Sequence, residues 1–257
     1  LRARSMAARI VGWGRRTETL RQALDLNAID EIETDLITAC MEADLVVVCT
    51  PVQFVVPQVL FCTNVIATGG LITDVGSTKR TICAELAGPA RETFCGSHPL
   101  AGSEKSGVGF ALADLFVGKL AVVTPSEQTP EPLAERTEKF WQALGSRTLR
   151  MTPQEHDCGV ARTSHLPHVV ASALAAGTPQ ALLPLAASGW CDTTRVAAGG
   201  VELWQQILLE NRQSVLEALQ DFSASLQPWI AALNAGDAGR IEQLLQAGKQ
   251  QRDSVGN

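Results

Sequence analysis

The strongest constraint on this chain is a change of rhythm near residue 150. Up to that point, short runs rich in β-branched and apolar residues alternate with stretches of helical spacing. The runs are ARIVGWG (8–14), ADLVVVCTP (43–51), LITDV (71–75), ETFCG (92–96), KLAVVTP (119–125) and SRTLRM (146–151). Each is closed by glycine, proline or a polar turn, as a strand must be. Helices are expected over 17–27, 54–65, 77–86 and 130–144, with a short turn near 111–116. Thr17 and Ser77 stand where N-caps belong, and residues 1–8 are read as the last turns of a helix. Residues 43–51 form an unbroken apolar run, the pattern of a strand buried on both faces. After Thr152 no such run recurs, and helical spacing takes over in 156–177, 180–188, 202–233 and 237–250. Pro167 is expected to kink the first of these, and Pro228 to end or bend the third. The alternation predicts an α/β fold over residues 1–150, with a doubly wound, mostly parallel sheet, joined to an all-α domain over 151–257.

Charge and cysteine usage narrow the function. The chain carries a net charge of −6, which argues against a nucleic acid or an anionic membrane as partner. Seven cysteines form no CxxC pair, so neither a zinc ribbon nor a dithiol redox site is expected; reduced, buried thiols in a cytoplasmic protein are. Residues 45–73 lack charge, but Pro51, Gln53, Pro57, Gln58, Asn64, Gly69 and Gly70 interrupt them, so they are read as strand, loop, helix and strand.

A doubly wound sheet that binds a dinucleotide needs a glycine-rich turn after its first strand. Gly12-Trp13-Gly14 is half a match, with Arg15-Arg16 in place of the remainder. If 1–8 ends the first helix, 9–13 is the second strand of a Rossmann-type domain, and the glycine loop is expected upstream of residue 1. The tip of a second strand meets the adenosine ribose. An acidic residue there would select NAD, whereas Gly14 followed by Arg15 and Arg16 leaves room and charge for a 2′-phosphate. NADP is therefore favoured, with NAD possible and a solvated basic turn as the alternative.

The chemistry is expected in residues 74–107, where two apolar runs deliver polar turns: DVGSTK (74–79) and GSHPLAGSEKSG (96–107). His98 stands near the end of the second run. Imidazole titrates near neutrality and suits proton transfer to or from a hydroxyl. His165 and His168, three apart, share a helix face, but no third ligand or acidic cluster suggests a metal. His156 has no supporting motif. Arg195 can grip a carboxylate bidentately or pair with Asp192. The apolar stripe over 202–233 is either the core of a helical domain or the seam of a homodimer.

DVGSTK, GSHPLAGSEKSG, TSHLPH (163–168) and GWCDTTR (189–195), in this order and spacing, resemble the prephenate/arogenate dehydrogenase family of tyrosine biosynthesis. The resemblance covers nearly the whole chain. It implies a Rossmann-type domain followed by a helical dimerisation domain. It also implies an NAD(P)-dependent oxidative decarboxylation of prephenate or arogenate, giving 4-hydroxyphenylpyruvate or tyrosine. Residue by residue, it makes His98 the catalytic, hydroxyl-binding residue and Ser77 its partner near the nicotinamide. Thr50 and Pro51 would pass along the cofactor. Arg195, His168, Ser103, Glu104 and Trp204 would meet the substrate, with Glu104 and Lys105 as gate residues. His165 is expected to be structural, and Lys79 a helix-start residue with a lesser cofactor-side role.

Other dehydrogenase classes fit poorly. The Tyr-xxx-Lys pair of short-chain enzymes is impossible in a chain with no tyrosine. Enzymes of the same architecture that use a lysine in the helical domain find only Lys249 after Lys139. The non-enzyme alternative is a Rossmann-type binding module without its phosphate loop.

Overall fold

The structure, a computed structural model, describes residues 1–102 and 107–255. A 3₁₀ turn over Arg2–Arg4 opens the chain, in place of the expected helix end. Then follow β1 (Val11–Trp13), α1 (Thr17–Asp25), β2 (Glu31–Glu33), α2 (Leu36–Cys40), β3 (Leu45–Val48), α3 (Val55–Thr63), β4 (Leu71–Asp74) and α4 (Arg80–Leu86). The sheet continues with β5 (Gly96–Pro99), β6 (Leu120–Thr124), α5 (Glu131–Ala143) and β7 (Arg147–Arg150). The helices after it are α6 (Pro153–Val160), α7 (Leu166–Gly177), α8 (Ser188–Thr194), α9 (Val201–Glu210), α10 (Arg212–Ala235) and α11 (Ala238–Asp253).

β1 pairs with β2 and β3 with β4, both parallel, and β6 with β7 likewise. β5 runs antiparallel to β6, so the three ladders, β1–β2, β3–β4 and β5–β6–β7, are parallel but for one reversed strand. A parallel bridge between Ile72 and Phe94 links β4 to the approach of β5. Adjacent residues alternate between two apolar layers. Ile72 and Phe94 join α3 and α4 on one face, while Leu71 and Cys95 join Leu133, Ala134 and Trp141 of α5 on the other. A sheet covered on both faces is the arrangement that the apolar runs demand.

Several local expectations are corrected. Within 43–51, Val46 and Val48 pack on the α3 and α4 layer and Leu45 on the α5 layer, so β3 is covered on both faces as expected, although only Val48 is buried outright. The run 92–96 is mostly approach, and the ladder itself spans Gly96–Pro99, which places His98 inside the strand. β2 and α2 went unanticipated, since the acidic EIE segment has no apolar run to mark it. Thr17 is the first residue of α1, after an N-cap at Arg16. Pro167 produces no kink at its own position. The irregularity is a π-turn over Ala161–His165, after which Pro167 sits in the first turn of α7, where its missing N–H is harmless. The helix expected over 202–233 is two helices, broken at Asn211, and Pro228 lies within α10.

Two compact units divide the described chain, Leu1–Asn211 and Arg212–Asn257. The first holds the sheet and α1–α9; in the second, α10 and α11 pack together. No helix among the described residues is long and apolar enough to cross a membrane.

One polar element sits inside the first unit. Asp74, at the end of β4, and Lys79, just before α4, form an ion pair with both side chains fully buried. Asp74 also accepts from the backbone amides of Gly76 (2.9 Å) and Ser97 (3.1 Å). A Cβ on Gly76 would lie 2.8 Å from the Asp74 carboxylate, so the turn needs glycine there. Breaking a buried pair leaves an uncompensated charge. Lys79→Ala is expected to lower unfolding free energy by about 3–5 kcal/mol in urea titrations; a loss under about 1 kcal/mol would show that water screens the pair.

Candidate active site

The turn between β4 and α4 is held by a second carboxylate. Asp157, in α6, accepts from the backbone amides of Lys79 (Oδ1, 2.8 Å) and Arg80 (Oδ2, 2.9 Å). These are the orphan donors at the start of α4, so Asp157 caps a helix 77 residues away in sequence. The expected cap, Ser77, lies three residues before α4 begins and takes no part. Its half-buried position on the turn is therefore not required for capping.

The same Asp157 oxygen lies 2.7 Å from His156 Nδ1, and His156 Nε2 lies 2.8 Å from His98 Nδ1. His156 and Asp157 are buried, at 1% and 2% exposure, while His98 is half-buried. The two rings meet edge to face with centroids 5.1 Å apart. His98 thus has its inner nitrogen engaged. His98 is placed by β5, whose register is fixed on the α5 face by Ser97. The Ser97 hydroxyl donates to the Asp74 carbonyl (2.7 Å) and accepts from Trp141 Nε1 (2.9 Å).

From Asp157 the contacts continue into the helices. Asn211 Nδ2 donates to the Asp157 carbonyl (2.7 Å) and lies 3.3 Å from His165 Nδ1. His165 meets Trp204 edge-on, and Trp204 stacks on His168 with centroids 3.6 Å apart and an interplanar angle of 13°. The His168 Nδ1 atom is buried and without a hydrogen-bond partner among the described residues. A Cβ on Gly199 would fall 2.6 Å from Trp204 Nε1 and 3.3 Å from His168 Cε1, so the stack depends on glycine at that point. Arg195, exposed, opens the 3₁₀ turn Arg195–Ala198, which packs on α7, the helix bearing His168.

Burial favours the neutral form of three of these histidines. His98 is held well below the usual histidine range, first by burial, then by His156, Lys79 and His165. Burial brings His165 down to about 4, with Asp157 opposing and His156 and His168 assisting. His168 is lowered by burial. Among the described residues no group of three His, Cys, Asp or Glu is arranged to hold a metal ion.

At the carboxyl ends of β1 and β3 lies a second cluster. The Arg15 guanidinium stands 4.8 Å from the Phe54 ring centroid, joining the tip of β1 to the turn after β3. Arg16 is exposed beside it, and Gly14 has no atom nearer to its Cβ position than 3.8 Å. Thr50 Oγ1 donates to Gln58 Oε1 (2.6 Å), and Pro51 leads into the 3₁₀ turn that carries Phe54. Ligands of parallel sheets bind at strand carboxyl ends, and a cationic, aromatic rim fits the phosphate and adenine of a dinucleotide.

Of the sequence-derived residues, then, His98, His168 and Trp204 are tied into one contact network, and Gly14, Arg15, Arg16, Thr50 and Pro51 into a separate rim. Ser77 shares the turn pinned by Asp157, without a hydrogen bond to His98. Ser103 and Glu104, with Lys105, lie outside the described residues. Lys79 is not an ordinary helix-start lysine but a wholly buried one. His156, Asp157 and Asn211 escaped the sequence reading. Their one signal is the capping box Thr152–Glu155, which starts α6 firmly enough to aim the next two residues inward.

Comparison with known proteins came to the same region of protein space. Residues 1–150 match the family described as prephenate dehydrogenase, nucleotide-binding domain, and residues 152–247 the family described as prephenate dehydrogenase, dimerization domain. The chain is 32% identical to a prephenate dehydrogenase of Bacillus subtilis (strain 168), covering 96% of this chain and 69% of that one. It is 33% identical to a cyclohexadienyl dehydrogenase of Zymomonas mobilis, covering 84% of this chain and 76% of that one. Prephenate dehydrogenase from A. aeolicus, solved in complex with hydroxyphenyl propionate and NAD+, superposes with a TM-score of 0.91 at 28% identity, over 99% of this chain and 92% of that one. Synechocystis arogenate dehydrogenase gives 0.81 at 30% identity, over 95% and 90%.

A histidine buried neutral makes stability depend on pH. Between about pH 6.5 and 4 the unfolded chain takes up a proton at residue 165 that the folded chain refuses. Stability is therefore full above about pH 6.5 and falls as pH drops through this window, by about 3 kcal/mol for this residue alone. Urea midpoints measured from pH 7 to pH 4 should follow that slope, and His165→Gln should flatten it; an unchanged slope in the variant would place the titration elsewhere.

Proposed function

This chain belongs to the prephenate dehydrogenase family, and on that premise we propose how its residues divide the work of oxidising prephenate to 4-hydroxyphenylpyruvate with loss of CO2. The observation that carries the assignment of roles is His98: a half-buried imidazole in β5 whose Nδ1 lies 2.8 Å from His156 Nε2. His98 binds the ring hydroxyl and accepts its proton. Ser77, on the turn beside it, orients the same hydroxyl-bearing edge. Arg195 grips the side-chain carboxylate with its guanidinium fork. His168, braced by Trp204, meets the substrate from the helical side. Ser103 and Glu104 follow His98 in sequence and complete the substrate side.

The bound nicotinamide supplies a hydride acceptor. The protein's part is to make hydride loss possible by taking the hydroxyl proton as the carbon–oxygen bond becomes a carbonyl. The ring carboxylate then leaves as CO2, its bonding pair entering the ring, which becomes aromatic. Thr50, Pro51 and the rim of Gly14, Arg15 and Arg16 hold the cofactor, and the two arginines favour the 2′-phosphate of NADP. His168 favours prephenate over arogenate. We place the reaction in the cytoplasm, which fits the free state of all seven cysteines.

The chain acts as a homodimer. Support comes from the dimerization-domain match and from α10 and α11, which leave Leu216, Leu219, Leu226, Ile230, Leu233 and Leu245 exposed.

Turnover measured with prephenate and arogenate, each with NAD and NADP, tests the chemistry. The expected result is highest kcat/KM for prephenate with NADP, and a loss of about 10²–10⁴-fold in kcat for His98→Asn. Inactivity of the wild type on all four pairs would sink the assignment, and full activity of the variant would remove His98 from its role. Light scattering should give twice the chain mass for the wild type and a shift toward the single chain for Ile230→Glu; an unshifted mass would move the seam off this face.

A further inference from the structure

Hydrogen-bond chemistry fixes more at His98 than its position. Asp157 receives two backbone N–H donors, one on each oxygen, and backbone amides can only donate. With both oxygens already receiving donors, the carboxylate accepts a third bond from His156 Nδ1, 2.7 Å away. His156 therefore carries its proton on Nδ1 and, when neutral, offers a lone pair at Nε2. The atom 2.8 Å from that lone pair is His98 Nδ1, which must then donate. A neutral His98 with its proton on Nδ1 leaves Nε2 as the free base. The chain of assignments runs one way only, from two backbone amides to the reactive nitrogen. Asn211 supports it from behind by donating to the Asp157 carbonyl.

We infer that His156 and Asp157 are positioning residues that set the tautomer of His98 and hold the substrate's proton during turnover. The inference rests on the prephenate reading for the identity of that proton. His98 Nε2 takes the hydroxyl proton as the hydroxyl-bearing carbon loses two electrons with its hydride. The Nδ1 proton of His98 then shifts toward His156 Nε2, so the positive charge passes to the ring that faces Asp157. When CO2 has left, the proton returns by the same route to the phenolic oxygen. Prephenate and oxidised cofactor give 4-hydroxyphenylpyruvate, CO2 and reduced cofactor with no net proton released. A base that stores one proton and gives it back is what this balance needs.

Two other charged or titratable groups stand near the pair among the described residues. Lys79 stands in the turn before α4, paired with Asp74 at the end of β4, and His165 lies on the π-turn. The lowered proton affinity of His98 in this setting fits a neutral resting state. Among the described residues, Asp157 is the one carboxylate in direct contact with either ring of the pair.

Two variants separate the roles. Gln at 156 can accept from His98 Nδ1 through its amide oxygen but cannot take the proton, whereas Leu can do neither. His156→Leu is expected to lower kcat about 10²-fold with KM within about threefold, and His156→Gln to recover about tenfold of that loss. Nitrogen shifts of ¹⁵N-histidine should show His98 protonated at Nδ1 in the wild type and in His156→Gln, and switched to Nε2 in His156→Leu. Wild-type protonation at Nε2, or a His156→Leu kcat within threefold of wild type, would overturn the inference. Absence of wild-type turnover on prephenate and arogenate would count against the substrate reading instead, and the nitrogen shifts would still decide the tautomer.

Discussion

The buried ion pair between Asp74 and Lys79 is the interaction on which the rest of the site depends. A lysine with no exposed side chain is costly to bury, and it is tolerated here because its partner is further satisfied by two backbone amides. Those amides come from different places: Gly76 in the turn after β4, and Ser97 in β5. One carboxylate thus ties the end of one strand to the middle of the next and shapes the turn between. The side chain of Ser97 adds the opposite tie, back to the Asp74 carbonyl and across to Trp141 of α5. His98 follows Ser97 directly, so its place on the sheet is set by the bonds of its buried neighbour.

A second carboxylate approaches the same turn from α6. Asp157 caps α4 and braces His156, so one side chain links the sheet domain to the first helix beyond it. The two carboxylates have different tasks. Asp74 pairs with the buried Lys79 and is structural. Asp157 joins the backbone at the start of α4 to the ring of His156. Between them the turn cannot shift without breaking several charge-assisted bonds, each stronger than a neutral one. That rigidity suits the role proposed for His98, since a small displacement of the imidazole would misalign it with a substrate hydroxyl.

Much of this arrangement was legible in the sequence, and the limits have physical causes. Apolar runs ending in polar turns announced the sheet, because a strand buried between helices cannot hide its composition: 71–75 and 119–125 became β4 and β6 almost residue for residue. β2 stayed hidden because an exposed, acidic edge segment carries no such mark. Ser77 looked like an N-cap, since serine is a good one; a carboxylate distant in sequence had already taken that place, which no local pattern can disclose. His156 looked idle for the same reason. Its neighbours in sequence form an ordinary capped helix start, and its partner His98 lies 58 positions earlier. Lys79 was misjudged because the prior for a lysine is solvent, and only the packing of β4, α4 and α6 removes it.

The histidines show how stability and chemistry are set against each other in one cluster. His98, His165 and His168 are all pushed toward the neutral form by burial. For a protein that had only to fold, phenylalanine or leucine would fill these places at less penalty. In the proposed role of His98 as a base, a neutral imidazole is the form that is empty when substrate arrives. Burial, with His156, Lys79 and His165 behind it, favours that form. The same surroundings would oppose the proton that the proposed reaction brings. Asp157 lies one ring further back, in contact with His156 and with His98 only through it. On the proposed reading, the spacing of carboxylate, imidazole and imidazole separates the group that must stay empty from the charge that would make filling it possible.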